Sequence, residues 1–329
     1  MKNTTKFLLV ISVITSVIAN AQKISWVNGD KDVIAVHSIL GYDDGGYYIY
    51  RYTNEREARE AYYDGDFIEK HSYDGKIIYT KSADYSEGKN TFLFRNIYMM
   101  KTGFILVNYD NKSENFCAVK INLDGTFSDK KDVLCHGKLM PGLGKILKYK
   151  FYGGVSNDKA YFLGYYHEDK NDITIKVLND DLSEKWSKNV SFPVDGDFTI
   201  TKALTDGNKA YFLVNVKDSK NRSRYSMITV DGGSNTVKSI RLNPEGDNSI
   251  YSVDFRIAKT GEILFTASYE KNMPSGFFSL DEGSTGYAVM RIDANSGKEN
   301  ISKSTDFDKD LILKFVTEKK WKRVKAYMS

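Results

Sequence analysis

Across 329 residues the chain carries 13% aromatic side chains, including 23 Tyr, but only 4 Pro, which favours strands and tight turns over linkers or disorder. Its 47 basic and 43 acidic residues are mixed along the whole length, so the concentrated basic face of a nucleic-acid binder is excluded. The one local excess, Lys319, Lys320, Lys322, Arg323 and Lys325 around Trp321, reads as a solvated surface.

In chain order, Lys2 and Lys6 precede an apolar run from Phe7 to Ile18 that ends in Ala19, Asn20, Ala21 and Gln22. The run is too short to span a bilayer and closes on a small-x-small pattern, so residues 1–21 are expected to be a secretory signal peptide cleaved after Ala21. A retained N-terminal anchor is the alternative. The segment resembles Gram-negative export signals and has no Cys at the cleavage site, which implies an exported protein in the periplasm, at the outer surface or outside the cell. No second apolar run is long enough for a transmembrane segment.

Beyond the leader the chain repeats itself. DKAYFL at 158–163 returns as NKAYFL at 208–213, and GGYYIY at 45, TGFILV at 102 and TGEILF at 260 fall into register with them. The first large residues of the five cores are Tyr47, Phe104, Tyr161, Tyr211 and Ile263, at spacings of 57, 57, 50 and 52 residues. Periods in this range mark arrays of supersecondary units. A further strand is expected before each core, at Val33 to Leu40, Thr91 to Met100, Leu147 to Gly153, Phe198 to Leu204 and Ile250 to Ala258. After each core come a second strand, a turn rich in Asp, Asn and Gly, and a third strand. Core strands such as AYFLGYY are apolar on consecutive residues and need cover on both faces, whereas outer strands of period two need less.

Stacked four-stranded antiparallel sheets meet both demands. The expected fold is therefore all-β, a β-propeller of about five to six four-stranded blades over residues 22–305. The turn DANSGK at 293–298 resembles the D-x-x-x-G-K turn of quinoprotein-type propeller repeats, a likeness confined to that turn. KISWVN at 23–28 is expected to complete the last blade from the other end of the chain. Residues 306–329 form a C-terminal segment that is either part of a sixth blade or a packed helix, through Leu311, Phe315, Trp321, Val324 and Met328.

Blade topology puts the loops between second and third strands, and between blades, on one face. That face carries the long loops, whereas MKTG at 100, TDGN at 205 and AKTG at 258 are short turns on the other. Function gathers on long loops held by a rigid frame. The candidate ligand-binding residues are accordingly Arg56, Arg59, Tyr62 and Tyr63 in one loop and Met273, Phe277 and Phe278 in another, residue types favoured at recognition surfaces. Closure of the ring would bring the two loops into one lip. The alternative is that these aromatics pin their own loops to the rim.

Cys117 and Cys135 flank the Asp124-Gly125-Thr126 turn, and a three-residue loop centred on Thr126 would oppose them, so a disulfide is expected alongside the alternative of two separate thiols. His37, His71, His136 and His167 fall in different units without ligand spacing, so no metal and no cofactor is expected. Acidic pairs such as Asp43-Asp44, Asp180-Asp181 and Asp195-Asp197 fall in turns, where Asp satisfies backbone donors. No nucleophile elbow, phosphate loop or zinc-protease helix motif is present. These features favour a noncatalytic exported propeller that binds a protein, peptide or glycan. The alternatives are a polysaccharide hydrolase or lyase with carboxylates at the central channel, and a structural part of an envelope assembly.

Overall fold

The structure, a computed structural model, describes residues 36–54, 63–137, 151–168, 171–217, 223–242, 249–258, 260–270, 286–293 and 296–306. These are all strands and their connections, and they divide between Asp84 and Tyr85 into two compact units.

The first unit holds one four-stranded antiparallel sheet in chain order: β1 Val36–Asp43, β2 Gly46–Asn54, β3 Tyr63–His71 and β4 Ile77–Ser82. The second unit holds four sheets. The first joins a short β5, Ser86–Glu87, to β6 Asn90–Met99, β7 Gly103–Asp110, β8 Asn115–Asn122 and β9 Phe127–His136. Next come β10 Phe151–Val155, β11 Tyr161–His167, β12 Asp172–Asn179 and β13 Glu184–Ser191. Then follow β14 Phe198–Thr205, β15 Lys209–Lys217, β16 Ser223–Asp231 and β17 Val237–Leu242. The last is β18 Ser249–Ile257, β19 Glu262–Glu270, β20 Gly286–Asp293 and β21 Glu299–Asp306. Every sheet pairs its strands antiparallel and in chain order, which is the blade of a β-propeller, and the fold is an all-β, multi-blade propeller.

Consecutive apolar residues in the second strand of each blade are explained by which layer each one enters. With the five sheets numbered as blades 1 to 5 in chain order, Phe162 of β11 packs with blade 2 residues Tyr109 and Phe116, while its neighbours Leu163 and Tyr165 pack with Phe212 and Val214 of blade 4. On β15, Ala210, Phe212 and Val214 face blade 3, whereas Tyr211 and Leu213 face Phe255 and Phe265 of blade 5. The second unit thus has three successive inter-blade layers, each as dry as a protein interior. β7 is buried at all eight positions, but β4 and β13 are mostly exposed with only intermittent cover. Burying one such Phe or Leu stabilises the fold by about 2 kcal/mol relative to leaving it exposed.

First strands approach one another between blades, β6 to β10 and β10 to β14, so they lie innermost. The approach is tightest at Gly154 of β10, where a Cβ would come within 2.2 Å of the Ala203 carbonyl oxygen on β14. Innermost strands are also bulged, at Arg95 in β6, Thr201 in β14 and Tyr251 in β18.

The expected register of the two cysteines is corrected. Asn122 N–H bonds the Thr126 carbonyl across the turn, and Ile121 pairs with Phe127. A bulge further along then sets Cys135 opposite Phe116, and Cys117 opposite Val133. Both thiols are buried and free. Phe116 and Cys135 enter the layer between blades 2 and 3, to which Cys117, one residue further along β8, does not contribute. Observed first strands overlap the expected positions, and the expected residues 147–150 ahead of β10 lie outside the described residues. KISWVN, residues 1–21 and the C-terminal segment from 307 onward lie outside the described residues.

Candidate functional site

In the second unit the turns joining first to second strands are built by the residues that the repeat preserves. In blade 3, the buried Ser156 donates its hydroxyl to Asp158 Oδ1 at 2.6 Å and accepts the Tyr161 N–H at 2.9 Å. Asp158 Oδ1 also accepts the Ala160 N–H at 3.1 Å, and Lys159 turns through a left-handed φ of 59°. In blade 4, Asp206 Oδ1 accepts the N–H groups of Asn208 and Lys209, and its Oδ2 accepts the Tyr211 hydroxyl at 2.7 Å. The buried Thr205 bonds the Lys209 carbonyl and the Gly207 N–H. These are side-chain-capped turns, the reason Asp and Asn recur there.

The three turns of blades 3, 4 and 5 meet. Asn157 Nδ2 donates to the Ile257 carbonyl, reaching from blade 3 to blade 5 at the end of their innermost strands. Beside this contact lies a cleft of about 670 Å³ lined by Ser156, Asp158, Thr205, Asp206, Arg256, Ile257 and Leu264, among others. Two carboxylates and one guanidinium therefore share one concavity, with an apolar side supplied by Ile257 and Leu264.

The charges in the cleft differ in what they are free to do. Partial burial opposes ionisation of Asp158, but hydrogen bonds from Ser156 and the Ala160 N–H outweigh it and hold its pKa below the usual carboxylate value. Burial first, and donation to Asp206 second, push the Tyr211 phenol well above its ordinary range. Asp206 has both oxygens occupied. On β18, Asp254 is claimed by Lys202 of blade 4, and burial there is likewise overcome by that lysine, so its pKa is lowered. Arg256, two residues along the same strand, is exposed and makes no hydrogen bond or close ion pair among the described residues, although its charge helps Lys202 to lower the Asp254 pKa.

This cleft opens on the short-turn face, opposite the face that loop length pointed to. Arg56, Arg59, Tyr62, Met273, Phe277 and Phe278 lie outside the described residues, and Tyr63 is described only as the backbone partner of Asn54 at the start of β3. Asp158 and Asp206 are not distinguishable in the sequence from other acidic turn residues, and Arg256 carries no motif. The repeat signals only one of them: the residue before the K-A-Y-F-L core is Asp158 in the first copy but Asn208 in the second, where Asp206 does the capping.

Other polar groups are distributed by unit. In the first, Glu69 holds Arg51 Nε at 2.7 Å and His71 Nε2 at 3.0 Å, with His71 stacked on Tyr47. Burial disfavours the Glu69 carboxylate, but His71 and Arg51 together lower its pKa. His136 bonds Asn115, and His167 lies against Phe198. Among the described residues no group of three or more His, Cys, Asp and Glu is placed to hold a metal ion, and no helix is long and apolar enough to cross a membrane.

No protein-family model and no curated protein matches the chain. Solved structures similar to it include prolyl oligopeptidase B from Galerina marginata, at 15% identity and a TM-score of 0.48 over 84% of this chain and 37% of that one. A putative 6-phosphogluconolactonase from Bacteroides uniformis is similar at 13% identity and a TM-score of 0.40, over 82% of this chain and 71% of the other. An oligogalacturonate lyase in complex with manganese is similar at 8% identity and a TM-score of 0.43, over 79% and 62%. The chain spans little more than a third of the prolyl oligopeptidase. Likenesses of this size say nothing of activity or site residues.

Proposed function

We propose that the protein is an exported, noncatalytic β-propeller that binds a protein, peptide or glycan, and that the three-turn cleft is a contact point for an anionic or polar group of that ligand. One observation carries the reading. Asp158 and Asp206 are spent on their own turns, while Arg256 is exposed and unpaired in the same concavity. A carboxylate already satisfied by N–H and O–H donors, and ionised at neutral pH, is poorly suited to donate a proton as a general acid, but it shapes a polar wall. An unpaired guanidinium beside apolar side chains suits recognition of a carboxylate or a hydrogen-bonding sugar.

The test is a peptide and glycan array probed with the mature protein, followed by titration of the best ligand. Arg256→Ala is expected to weaken binding by about tenfold or more, and parallel Arg59→Ala and Phe278→Ala variants report whether the long loops share the ligand. Unchanged affinity in Arg256→Ala would remove the cleft from the reading. Export is tested by N-terminal sequencing of the protein recovered from outside the cytoplasm, with Gln22 as the expected first residue.

A second reading is a polysaccharide hydrolase or lyase, favoured by the convergence of Asp158 and Asp206 from neighbouring blades on one cleft. Release of reducing or unsaturated sugar ends from a polysaccharide panel, abolished by Asp158→Asn, would establish it over the binding reading.

A further inference from the structure

In the second unit each inter-blade layer is closed by the strand that the chain lays down next. Phe151 and Val155 of β10 share a layer with Val107 and Phe116 of blade 2, Phe198 and Ile200 of β14 with Leu163 and Ile175 of blade 3, and Ile250 and Phe255 of β18 with Leu213 and Met227 of blade 4. The chain therefore leaves each fourth strand and returns an innermost strand to the face it has just completed. Under such cover β15 is buried at five consecutive residues, Ala210 to Val214.

Blade 5 is different. On β19, Ile263, Phe265 and Ala267 are buried toward blade 4, whereas Leu264 and Thr266 are exposed. β20 alternates in the same way, with Ala288 and Met290 buried and Tyr287 and Val289 exposed. The register sets Leu264, Thr266 and Ser268 beside Arg291, Val289 and Tyr287 on one sheet face, the one turned away from blade 4. Leu264, Val289 and Tyr287 are 38%, 38% and 47% exposed, so this face keeps apolar area without the cover its counterparts receive. Its polar groups are largely provided for within the blade: Arg291 holds Glu262 at 2.6 Å, and the Ser252 and Ser268 hydroxyls bond each other at 2.7 Å. Partners of this kind lower the cost of taking the face out of water.

We propose that this face is the seat of the chain's own continuation beyond Asp306, a strand whose Leu313 and Phe315 cover Tyr287 and Val289. Leu313 and Phe315 lie outside the described residues, and two regularities of the chain select them. Phe198 begins its strand seven residues after Ser191, the end of the preceding blade, and Ser249 follows Leu242 by the same step. That step from Asp306 leads to Leu313. Leu313-x-Phe315 then repeats the Phe198-x-Ile200 pattern with which β14 covers blade 3. The ring of Phe198 lies 5.5 Å from that of His167 at the end of β11, and the matching end of β19 is where Ser268 pairs with Tyr287. The seat is thus toward the opposite end of β19 from the Leu264 and Arg256 pair, and the reading of the three-turn cleft does not depend on it.

The test cross-links the full chain with a bismaleimide that spans about 10 Å, the spacing of facing sheets. Val289→Cys is combined in turn with Leu313→Cys, Lys314→Cys and Phe315→Cys, and linked peptides are read by mass spectrometry; the parent, whose Cys117 and Cys135 are buried, is the control. Links within one chain are expected from positions 313 and 315 in about fivefold excess over 314, because alternate residues of a strand point to opposite faces. Where Val289→Cys lowers the thermal midpoint, Tyr287→Cys replaces it and the same outcomes are read. Equal linking at all three positions, as from a helix, would overturn the proposal. So would links found only between two chains, which would put a second copy on the face, or no link in variants that melt with the parent.

Discussion

Asp110 shows how much one turn residue contributes. Burial raises the cost of its charge, but donors from Ser113, Asn90 and the Lys112 N–H prevail and hold its pKa at about 2, against an ordinary 3.8. Because the folded value is the lower one, the stabilisation is fully present above the unfolded pKa and is lost as pH falls from about 4 through about 2. A shift of this size corresponds to about 2 kcal/mol. Asp110→Asn is therefore expected to lower urea stability at pH 7 by about that amount, and to flatten its acid dependence between pH 4 and 2. Lys120 makes the opposite kind of contribution. Nearly buried, it bonds Thr102 Oγ1 at 2.6 Å, the Asp180 carbonyl at 2.7 Å and Asp180 Oδ1 at 3.1 Å, tying blade 2 to blade 3. Lys120→Met leaves the Asp180 carboxylate without its cation, and a loss of about 3 kcal/mol is expected in the same measurement.

At the scale of elements, turn geometry decides which side chains meet. The five residues from Asn122 to Thr126 close the β8–β9 hairpin, and the bulge beyond them gives Cys135 a different partner from the one a symmetrical three-residue loop provides. Burial holds the thiols of Cys117 and Cys135 at pKa values of about 11 and about 12, so neither is a ready nucleophile near neutrality. Two free thiols are expected on titration of the unfolded, unreduced protein, with none reacting quickly in the folded one; a single bridge would show that the hairpin takes the symmetrical register. The β14–β15 turn is another such element. Gly207 adopts a φ of 89°, its carbonyl accepts the Trp186 indole N–H at 2.8 Å, and a Cβ would strike the Tyr161 ring at 2.5 Å. Gly207→Ala is expected to destabilise by about 2 kcal/mol through φ strain and the displaced ring together, visible as a lower thermal midpoint.

At the scale of the whole molecule, stability is greatest in the second strand of each blade and falls toward the fourth. β11 and β15 each lie between two dry layers, β7 is buried throughout, and all three have both neighbours in the ladder, whereas fourth strands have one ladder neighbour and exposed faces. Amide exchange is expected to be slowest in β7, β11 and β15 and fastest in β4, β13 and β17, since local opening follows buried contact. Uniform protection across each blade would contradict this layering. Phe212 is fully buried between blades 3 and 4, and Phe212→Ala is expected to cost about 4 kcal/mol in urea denaturation.

Much of this architecture was legible in the chain because it depends on local rules. Period, turn chemistry and runs of consecutive apolar residues each follow from one segment at a time, and together they specify four-stranded blades with dry second strands. DKAYFL and NKAYFL recur because the strand that each opens must face two neighbours at once. Other features belong to tertiary structure alone. The register of Cys135 depends on two shifts in the β8–β9 ladder beyond its turn, and the meeting of Asp158, Asp206 and Arg256 depends on three blades placing their turns at one spot. Sequence specifies what each strand needs; only the packed blades decide which charges are left unpaired, because pairing is a property of distances between segments and not of the segments themselves.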